Sequence, residues 1–356
     1  MSDTKPKRIA IVLFNLGGPD HPDAVKPFLK NLFSDPAIIR VPNPLRWLIA
    51  TLISSRRAPV AREIYSHLGG ASPILSLTQA QGAALEAKLA ELSAPGESVA
   101  YQSFIAMRYW HPFADETAQA VKQWGADETL LLTLYPQYST TTTESSFKDW
   151  DRAAKKAGLD MPVHTVCCYP LEPDFIAAHA ALIEESLPAD ADLAGTRLLF
   201  SAHGLPKRVI DAGDPYQAQV EQTCAAVVEK LNRPGLDWQV CYQSRVGPME
   251  WIGPSTDDEI IRAGRDGKSI VLTPIAFVSE HSETLVELDI EYGKLAKEHG
   301  VPSYTRIKAL GDHPLFIDAL AKLTRDALSE EEILCPVEAA GYPCWEKAGL
   351  SFAKSA

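Results

Sequence analysis

The strongest constraint on the fold is the repeated alternation of short apolar segments with longer segments of helical periodicity. Several short segments are apolar at successive positions rather than at every second one, which is typical of parallel strands covered on both faces. The seven segments lie at residues 8–14, 99–106, 129–134, 163–168, 196–201, 238–241 and 269–277. This pattern predicts an α/β fold of parallel sheets flanked by helices.

Length and charge narrow the classes of protein further. A chain of 356 residues is too long for one hydrophobic core, and about two domains are expected at roughly 100–200 residues each. The formal net charge is −12, and the basic clusters at 5–8 and 56–57 are short. Both observations argue against a nucleic-acid partner, because a polyanion binds to an extended basic surface.

The sequence also indicates a compartment. No secretory signal pattern precedes the first predicted strand, and no apolar run approaches the length of a membrane span. Six cysteines in 356 residues do not form the dense framework of a small disulfide-bonded domain. We therefore expect a cytoplasmic protein.

Two helix starts are marked by capping residues. Thr141–Glu144 has the spacing of a capping box, which predicts a helix that continues to Lys156. Asp257 begins a second predicted helix, which ends at Ala263.

Two strand-to-helix loops resemble each other. Residues 15–19 and 201–206 both combine a polar residue with Gly and Pro after an apolar strand. In open α/β sheets ligands bind beyond the carboxyl ends of strands, so both loops are candidate walls of a cleft. The alternative is that strand-to-helix turns favour Gly and Pro whatever their function, and the residues leave both readings open.

A cluster of carboxylates follows the segment at 269–277. On an α-helix, one stripe would contain Glu280, Glu283, Glu287 and Glu291. The opposite face would contain Leu285, Leu288 and Tyr292. No Lys or Arg lies between Lys268 and Lys294, so the stripe has no counter-charge nearby in sequence. It is either a solvated acidic face or part of a site that handles a metal ion or protons.

Three further features are candidate sites. His203 follows a predicted strand and could bind metal or accept a proton, although a lone histidine is more often structural. Residues 108–112 and 135–138 combine an arginine fork with aromatic rings, which suits a planar acidic ligand, whereas buried aromatics usually form core. Residues 41–53 are either a buried helix or an exposed apolar lip.

These features coincide with motifs of a known family. The chain resembles the ferrochelatases, the terminal enzymes of haem synthesis, and bacterial members in particular, from Arg8 to about Leu328. Eight motifs occur in order: LFNLGGP (13–19), RRAP (56–59), GGASPI (69–74), MRYWHP (107–112), YPQYS (135–139), SAHGLP (201–206), QSRVGPMEWIGP (243–254) and FVSEHSETLVELDIEY (277–292). Eight ordered motifs are far more specific than any one of them.

The resemblance implies two Rossmann-like domains, each a parallel sheet flanked by helices, that face each other across a porphyrin cleft. The first would span 1–165, carry a lip at about 42–57 and be completed by a helix at about 312–328. The second would span 166–311 and carry His203 and the stripe at 280–291. A tail at 329–356 contains Cys335 and Cys344.

The implied activity is that of a lyase-class metal chelatase, which inserts Fe²⁺ into protoporphyrin IX and releases two protons. Protoporphyrin IX and Fe²⁺ are the expected partners, and neither nucleic acid nor a nucleotide cofactor is expected. Residues 42–53 would make a peripheral membrane contact, and the protein would be a monomer or a homodimer. The alternatives are a chelatase for coproporphyrin or another tetrapyrrole, and a non-catalytic tetrapyrrole carrier.

The resemblance also assigns site residues by matching positions. The catalytic set would be His203, Glu283, Glu280, His281 and Glu287. Of these, His203 and Glu283 would bind the metal. The porphyrin would contact Leu16, Arg57, Tyr65, Ser72, Arg108, Tyr109 and Trp251.

Some relatives hold a 2Fe–2S cluster with one internal cysteine and three near the C-terminus. This chain has Thr140 at the internal position of animal relatives, and its tail offers only Cys335 and Cys344. Cys167 and Cys168 would make up four thiolates. The alternative is that all four are reduced, packed thiols.

Overall fold

The computed structural model describes residues 5–94, 98–187, 193–245 and 249–329. Contacts between Cα atoms divide the described chain into two compact units. Unit 1 contains the residues up to Tyr169 together with those from Ile317 onward, and unit 2 contains Pro170–Phe316.

Unit 1 contains a four-stranded parallel sheet in the order β2-β1-β3-β4. Its strands are β1 (Lys7–Asn15), β2 (Val99–Met107), β3 (Glu128–Thr133) and β4 (Val163–Val166). Its helices are α1 (Val25–Ser34), α2 (Asn43–Ser66), α3 (Ile74–Leu92), α4 (Ala114–Trp124) and α5 (Thr143–Ala157). The rings of Phe147 and Trp150 pack edge-on against Phe14, which fixes α5 on one face of β1.

Unit 2 repeats this design, with a four-stranded parallel sheet in the order β6-β5-β7-β8. Its strands are β5 (Thr196–His203), β6 (Asp237–Gln243), β7 (Ser269–Pro274) and β8 (Tyr304–Arg306). Its helical segments are α6 (Pro173–Ser186), α7 (Lys207–Asp211), α8 (Tyr216–Leu231), α9 (Thr256–Arg265), a π-helix (Glu283–Glu291) and α10 (Tyr292–Glu298). The last helix, α11 (Pro314–Ser329), begins in unit 2 and continues into unit 1.

The predicted α/β class with parallel sheets is confirmed, and all seven predicted strands are present. β8 was not predicted. It has only three residues, none of them fully buried, so it lacks the apolar run that marks the other strands.

The predicted capping box at Thr141–Glu144 is wrong. α5 begins at Thr143, and no side-chain cap bond forms at Thr142. The carboxylate of Glu144 instead accepts a hydrogen bond from Tyr138 and pairs with Lys148, so it does not reach back to the helix start. At α9 the cap is formed by Ser255, whose hydroxyl accepts from the backbone N–H of Asp258.

None of the helices in the described parts of the chain is both long and apolar enough to cross a membrane. α2 is long but includes several charged side chains along its 24 residues.

Candidate active site

His203 and Glu283 form the centre of the candidate site in unit 2. His203 is the last residue of β5, and Glu283 is the first residue of the π-helix that follows β7. Because β5 and β7 are neighbouring parallel strands, their carboxyl ends meet at one sheet edge. There the Nδ1 atom of His203 lies 2.9 Å from the Oε2 atom of Glu283.

The two side chains shift each other's pKa. Partial burial disfavours the imidazolium of His203, but the charge and the hydrogen bond of Glu283 outweigh it and raise the pKa of His203. Burial likewise opposes the charge of Glu283, but His203 holds the pKa of Glu283 well below its usual range. The side chains are 39% and 33% exposed, so solvent partly screens this interaction.

Glu287, one turn further along the π-helix, is held by the end of β6. Its carboxylate accepts hydrogen bonds from the N–H of Ser244 (2.9 Å), the hydroxyl of Ser244 (2.6 Å) and the amide of Gln243 (3.2 Å). Burial and the charge of Glu283 nevertheless raise the pKa of Glu287 to about 7. This carboxyl can therefore take up and release a proton near neutral pH.

Ser244 adopts a backbone conformation that favours glycine, with φ of 61°. Such a conformation costs on the order of 1–3 kcal/mol in a non-glycine residue. It turns both the N–H and the hydroxyl of Ser244 toward Glu287. The strained backbone of Ser244 therefore helps to hold the Glu287 carboxylate in place.

The prediction of an unpaired stripe is wrong for Glu280. Glu280 lies 2.5 Å from Arg306, and Asp289 pairs with the same guanidinium at 2.7 Å. Arg306 is the last residue of β8, the strand that the sequence pattern did not predict, so its counter-charge is remote in sequence. Glu280 therefore belongs to a structural ion pair beside the site.

The predicted helical faces are also wrong, because Glu283–Glu291 is a π-helix and not an α-helix. A π-helix has i→i+5 hydrogen bonds, which shifts every side chain relative to an α-helix. Tyr292, expected opposite the acidic stripe, places its hydroxyl 3.3 Å from Glu287. Glu287 thus has three hydrogen-bonding neighbours that the sequence pattern did not predict, namely Tyr292, Ser244 and Gln243.

His281 lies beside the pair but makes different contacts. Its side chain is buried, with the ring edge-on to Phe277 and Nδ1 accepting from the N–H of Thr284 at 3.4 Å. Burial lowers the pKa of His281, so its imidazole is neutral at neutral pH. Within the described residues, no hydrogen bond joins His281 to Glu280 or Glu283.

A second loop borders His203. Trp251 forms a β-bridge with Pro206, and the N–H of Ile252 donates to the carbonyl of Leu205 at 3.0 Å. A Cβ at Gly204 would lie 2.9 Å from the carbonyl oxygen of Gln243 and 3.4 Å from the ring of Trp251. Only glycine fits between these segments.

Unit 1 contains the expected arginine cluster, with partners that the sequence did not reveal. The guanidinium of Arg108 pairs with Asp35 at 2.8 Å and donates to the hydroxyl of Ser145 at 2.7 Å. Tyr109 donates to the same Asp35 carboxylate at 2.9 Å. Much of the Arg108 guanidinium, which was expected to face a ligand, is thus paired within unit 1. Arg108 and Asp149 both line a cavity of about 280 Å³.

The other predicted substrate-binding residues of unit 1 lie on its loops and helices. Leu16 is half-buried directly after β1, and its carbonyl accepts from the N–H of Tyr109 at 2.9 Å. Arg57 is exposed on α2, whereas Tyr65 is buried in a small apolar cluster with α1. Ser72 packs against Gly18, where an added Cβ would lie 2.5 Å from the serine Cβ.

The helix α2 presents a set of large apolar side chains to solvent. They are Leu45 (49% exposed), Trp47 (56%), Leu48 (58%) and Leu52 (49%). The alternative of a buried helix is wrong for this part of α2, since four large apolar groups remain in water.

In the part of the chain that the structure describes, no group of three or more His, Cys, Asp or Glu side chains is arranged to hold a metal ion. The pair of His203 and Glu283 offers one nitrogen and carboxylate oxygens on the surface of unit 2. Such a pair suits transient coordination better than a permanent, closed site.

Comparison with known proteins identifies related sequences along nearly the whole chain. A family model described as Ferrochelatase matches residues 8–328. A protein named Ferrochelatase from Caulobacter vibrioides (strain NA1000 / CB15N) is 56% identical over 324 residues, which cover 91% of each chain. One of the same name from Hyphomonas neptunium is 50% identical over 98% of this chain and 99% of its own.

The fold also occurs in a solved chelatase structure. The sirohydrochlorin chelatase SirB from Bacillus subtilis subspecies spizizenii, in complex with cobalt, aligns with a TM-score of 0.51 and 13% identity. The alignment covers 91% of this chain and 97% of that one. At this identity the likeness supports the fold alone.

Proposed function

The chain belongs to the ferrochelatase family, and from this premise we propose how its own side chains carry out the reaction. The protein is a metal chelatase that inserts iron into a porphyrin in haem synthesis, with Fe²⁺ as a substrate. We assign the reaction to the lyase class and propose protoporphyrin IX as the porphyrin. The hydrogen bond between His203 and Glu283 is the observation that supports the catalytic assignment.

The first task of the enzyme is to remove two protons from the pyrrole nitrogens. His203 is the proposed base: its Nδ1 faces Glu283, which leaves Nε2 for the porphyrin. When the imidazole accepts a proton, the adjacent carboxylate stabilises the imidazolium that forms. This explains why a partly exposed histidine is paired with an acid at the end of β5.

The second task is to deliver a partly dehydrated metal ion. We propose that His203 and Glu283 bind Fe²⁺ and also transfer protons, at different stages of the reaction. Imidazole nitrogen and carboxylate oxygen are suitable donors for this metal ion. Glu287 would accept the proton that leaves the pair, because its pKa of about 7 permits both uptake and release. Glu280 and His281 would act on the pair through charge and packing, given their bonds to Arg306 and Thr284.

We propose that Leu16, Arg57, Tyr65, Ser72, Arg108, Tyr109 and Trp251 contribute to the porphyrin site, as the family motifs imply. The exposed apolar side chains of α2 support this for an apolar macrocycle. Of these, Leu45, Leu48 and Leu52 share one helix face, which would also serve a peripheral contact with a lipid surface.

The choice of porphyrin can be tested by comparing rates. We expect kcat/KM for Fe²⁺ insertion to be roughly tenfold or more higher with protoporphyrin IX than with coproporphyrin, whose two additional carboxylates must be desolvated beside apolar side chains. Anaerobic assays with each porphyrin, followed by the absorbance of the product, measure this ratio. A higher kcat/KM with coproporphyrin would favour the alternative chelatase, and tight porphyrin binding without metal insertion would indicate a carrier.

A 2Fe–2S cluster is a further part of the proposal. The Sγ atoms of Cys167 and Cys168 converge to 3.4 Å despite their adjacent positions, so these two donors fit a shared iron site. The other two proposed ligands, Cys335 and Cys344, lie outside the described residues. The proton and metal steps above do not involve the cluster.

The visible spectrum of anaerobically purified protein tests the cluster. We expect thiolate-to-iron bands with stoichiometric acid-labile sulfide, and the loss of both in Cys168→Ser. Cys224→Ser is the matched control, because it replaces another buried thiol, in unit 2. A wild-type spectrum without such bands would leave the alternative of packed, reduced thiols.

A further inference from the structure

The carboxyl of Glu287 is connected to an exposed carboxylate on α9 through the hydroxyl of Tyr292, in addition to its bonds to half-buried Ser244. The Oη atom of Tyr292 lies 3.3 Å from Oε1 of Glu287 and 3.2 Å from Oδ2 of Asp257. Asp257 is exposed in the first turn of α9. The hydroxyl therefore bridges a carboxyl at the candidate site and a carboxylate in contact with bulk water.

The local fold produces this bridge. Glu287 and Tyr292 are five residues apart, which is the hydrogen-bond spacing of the π-helix that ends just before Tyr292. The ring of Tyr292 is buried against Leu199 and Cys241 in the core of unit 2. Since the ring is fixed by packing, its hydroxyl has a defined position between the two carboxyl groups.

The hydroxyl has the hydrogen-bonding capacity that such a connection requires. It carries one hydrogen and two acceptor lone pairs, so it can donate to Asp257 while it accepts from a protonated Glu287. Burial, followed by the charges of Glu287 and Asp257, raises the pKa of Tyr292 above its usual value. The phenol stays neutral and can relay a proton without forming a stable phenolate.

The acidic stripe would have provided a different exit, through Glu291. This residue is exposed, but within the described residues no hydrogen bond joins it to Glu287 or to Tyr292. A continuous chain of hydrogen bonds therefore runs from Glu287 through Tyr292 to exposed Asp257, and in the part of the chain that the structure describes no such chain runs along the stripe to Glu291.

We propose that Tyr292 and Asp257 form the exit route for the protons that metal insertion releases, a role that rests on the proposed function of His203, Glu283 and Glu287. In each transfer, the O–H bond of Glu287 breaks as its proton passes to the Tyr292 oxygen. The original Tyr292 O–H bond breaks at the same time, and that proton binds to Oδ2 of Asp257. Asp257 then releases the proton to water, and the O–H bond of Tyr292 rotates about the C–O bond back to its starting orientation while the ring stays in place.

Tyr292→Phe tests the route, because it removes the hydroxyl and keeps the ring. We expect kcat to fall roughly tenfold with Fe²⁺ and equally with Zn²⁺, with no change in KM for either metal or for porphyrin. High concentrations of imidazole buffer should partly restore kcat, since a small diffusible acceptor can replace the missing relay. Asp257→Asn, a surface substitution, should lower kcat in the same direction and show the same rescue.

The matched control is Tyr304→Phe. The ring of Tyr304 packs against the same core, and its hydroxyl donates to the carbonyl of Leu288 at 2.6 Å, away from Glu287 and Asp257. It should leave kcat and its buffer dependence unchanged. The relay is overturned if Tyr292→Phe has the wild-type kcat, if imidazole buffer does not restore its lowered kcat, or if its KM for the metal rises instead. It is also overturned if Glu291→Gln lowers kcat and imidazole buffer restores it. A wild-type protein that inserts no metal would overturn the proposed function together with the relay.

Discussion

His203→Ala is expected to lower kcat for iron insertion by about 10²–10⁴-fold, the range typical of a lost general base, while the protein stays folded. The side chain is 39% exposed at the end of β5, so its truncation leaves no large cavity in the core. What it removes is the base that accepts the pyrrole proton and one of the two proposed metal donors. Anaerobic assays with Fe²⁺ and with Zn²⁺ measure the loss.

The matched control is His299→Ala, which removes an exposed imidazole at the end of α10 in the same unit. It should retain the wild-type rate. Circular dichroism and porphyrin fluorescence quenching would show that His203→Ala remains folded and still binds porphyrin. An active His203→Ala protein would refute the assignment of His203 as the base.

The sheets could be predicted from the sequence because their signal is local. A run of consecutive β-branched and aliphatic residues such as 270–272 leaves few alternatives to a buried parallel strand, and the structure contains that strand as β7. β8 was not predicted because it is defined by its pairing with β7 and not by an apolar pattern in its own residues. The start of α5 was misplaced because Glu144, the acid of the apparent capping box, pairs instead with Tyr138 and Lys148.

The candidate site was predictable only to the level of residue types at strand ends. His203 and Glu283 are 80 positions apart, yet parallel strands bring their carboxyl ends together, so their proximity followed from the fold class. The helix type did not follow, because a π-helix has no local signature comparable to hydrophobic periodicity. The partners Arg306 and Tyr292 depend on that helix type and on β8, and they were missed for that reason.

The π-helix has a chemical consequence that an α-helix would not have. It keeps Glu283 beside His203, places Glu287 beside Ser244, and aligns Tyr292 with Glu287. Glu280 and Asp289 meanwhile share one guanidinium, whose single positive charge offsets one of their two negative charges. The two carboxyl groups nearest the histidine, Glu283 and Glu287, have pKa values that shift in opposite directions.

Glu283→Gln should change both the height and the position of the pH–rate profile. Glu283 raises the pKa of His203, so without its charge the pKa of His203 falls. The base must be neutral to accept a proton, and kcat/KM therefore rises with pH as the imidazolium loses its proton. The acidic limb of kcat/KM should accordingly move to lower pH in Glu283→Gln.

The plateau of the same profile should fall by roughly 10²-fold, because the imidazolium loses its counter-charge in the transition state and the metal loses an anionic donor. Glu298→Gln, at an exposed carboxylate of α10, is the control and should keep both limb and plateau. Profiles of kcat/KM between about pH 5 and 9, the range in which histidine titrates, measure both changes. An acidic limb at the wild-type pH would mean that Glu283 does not set the proton affinity of His203. A lower plateau without a shifted limb would then assign Glu283 to metal binding alone.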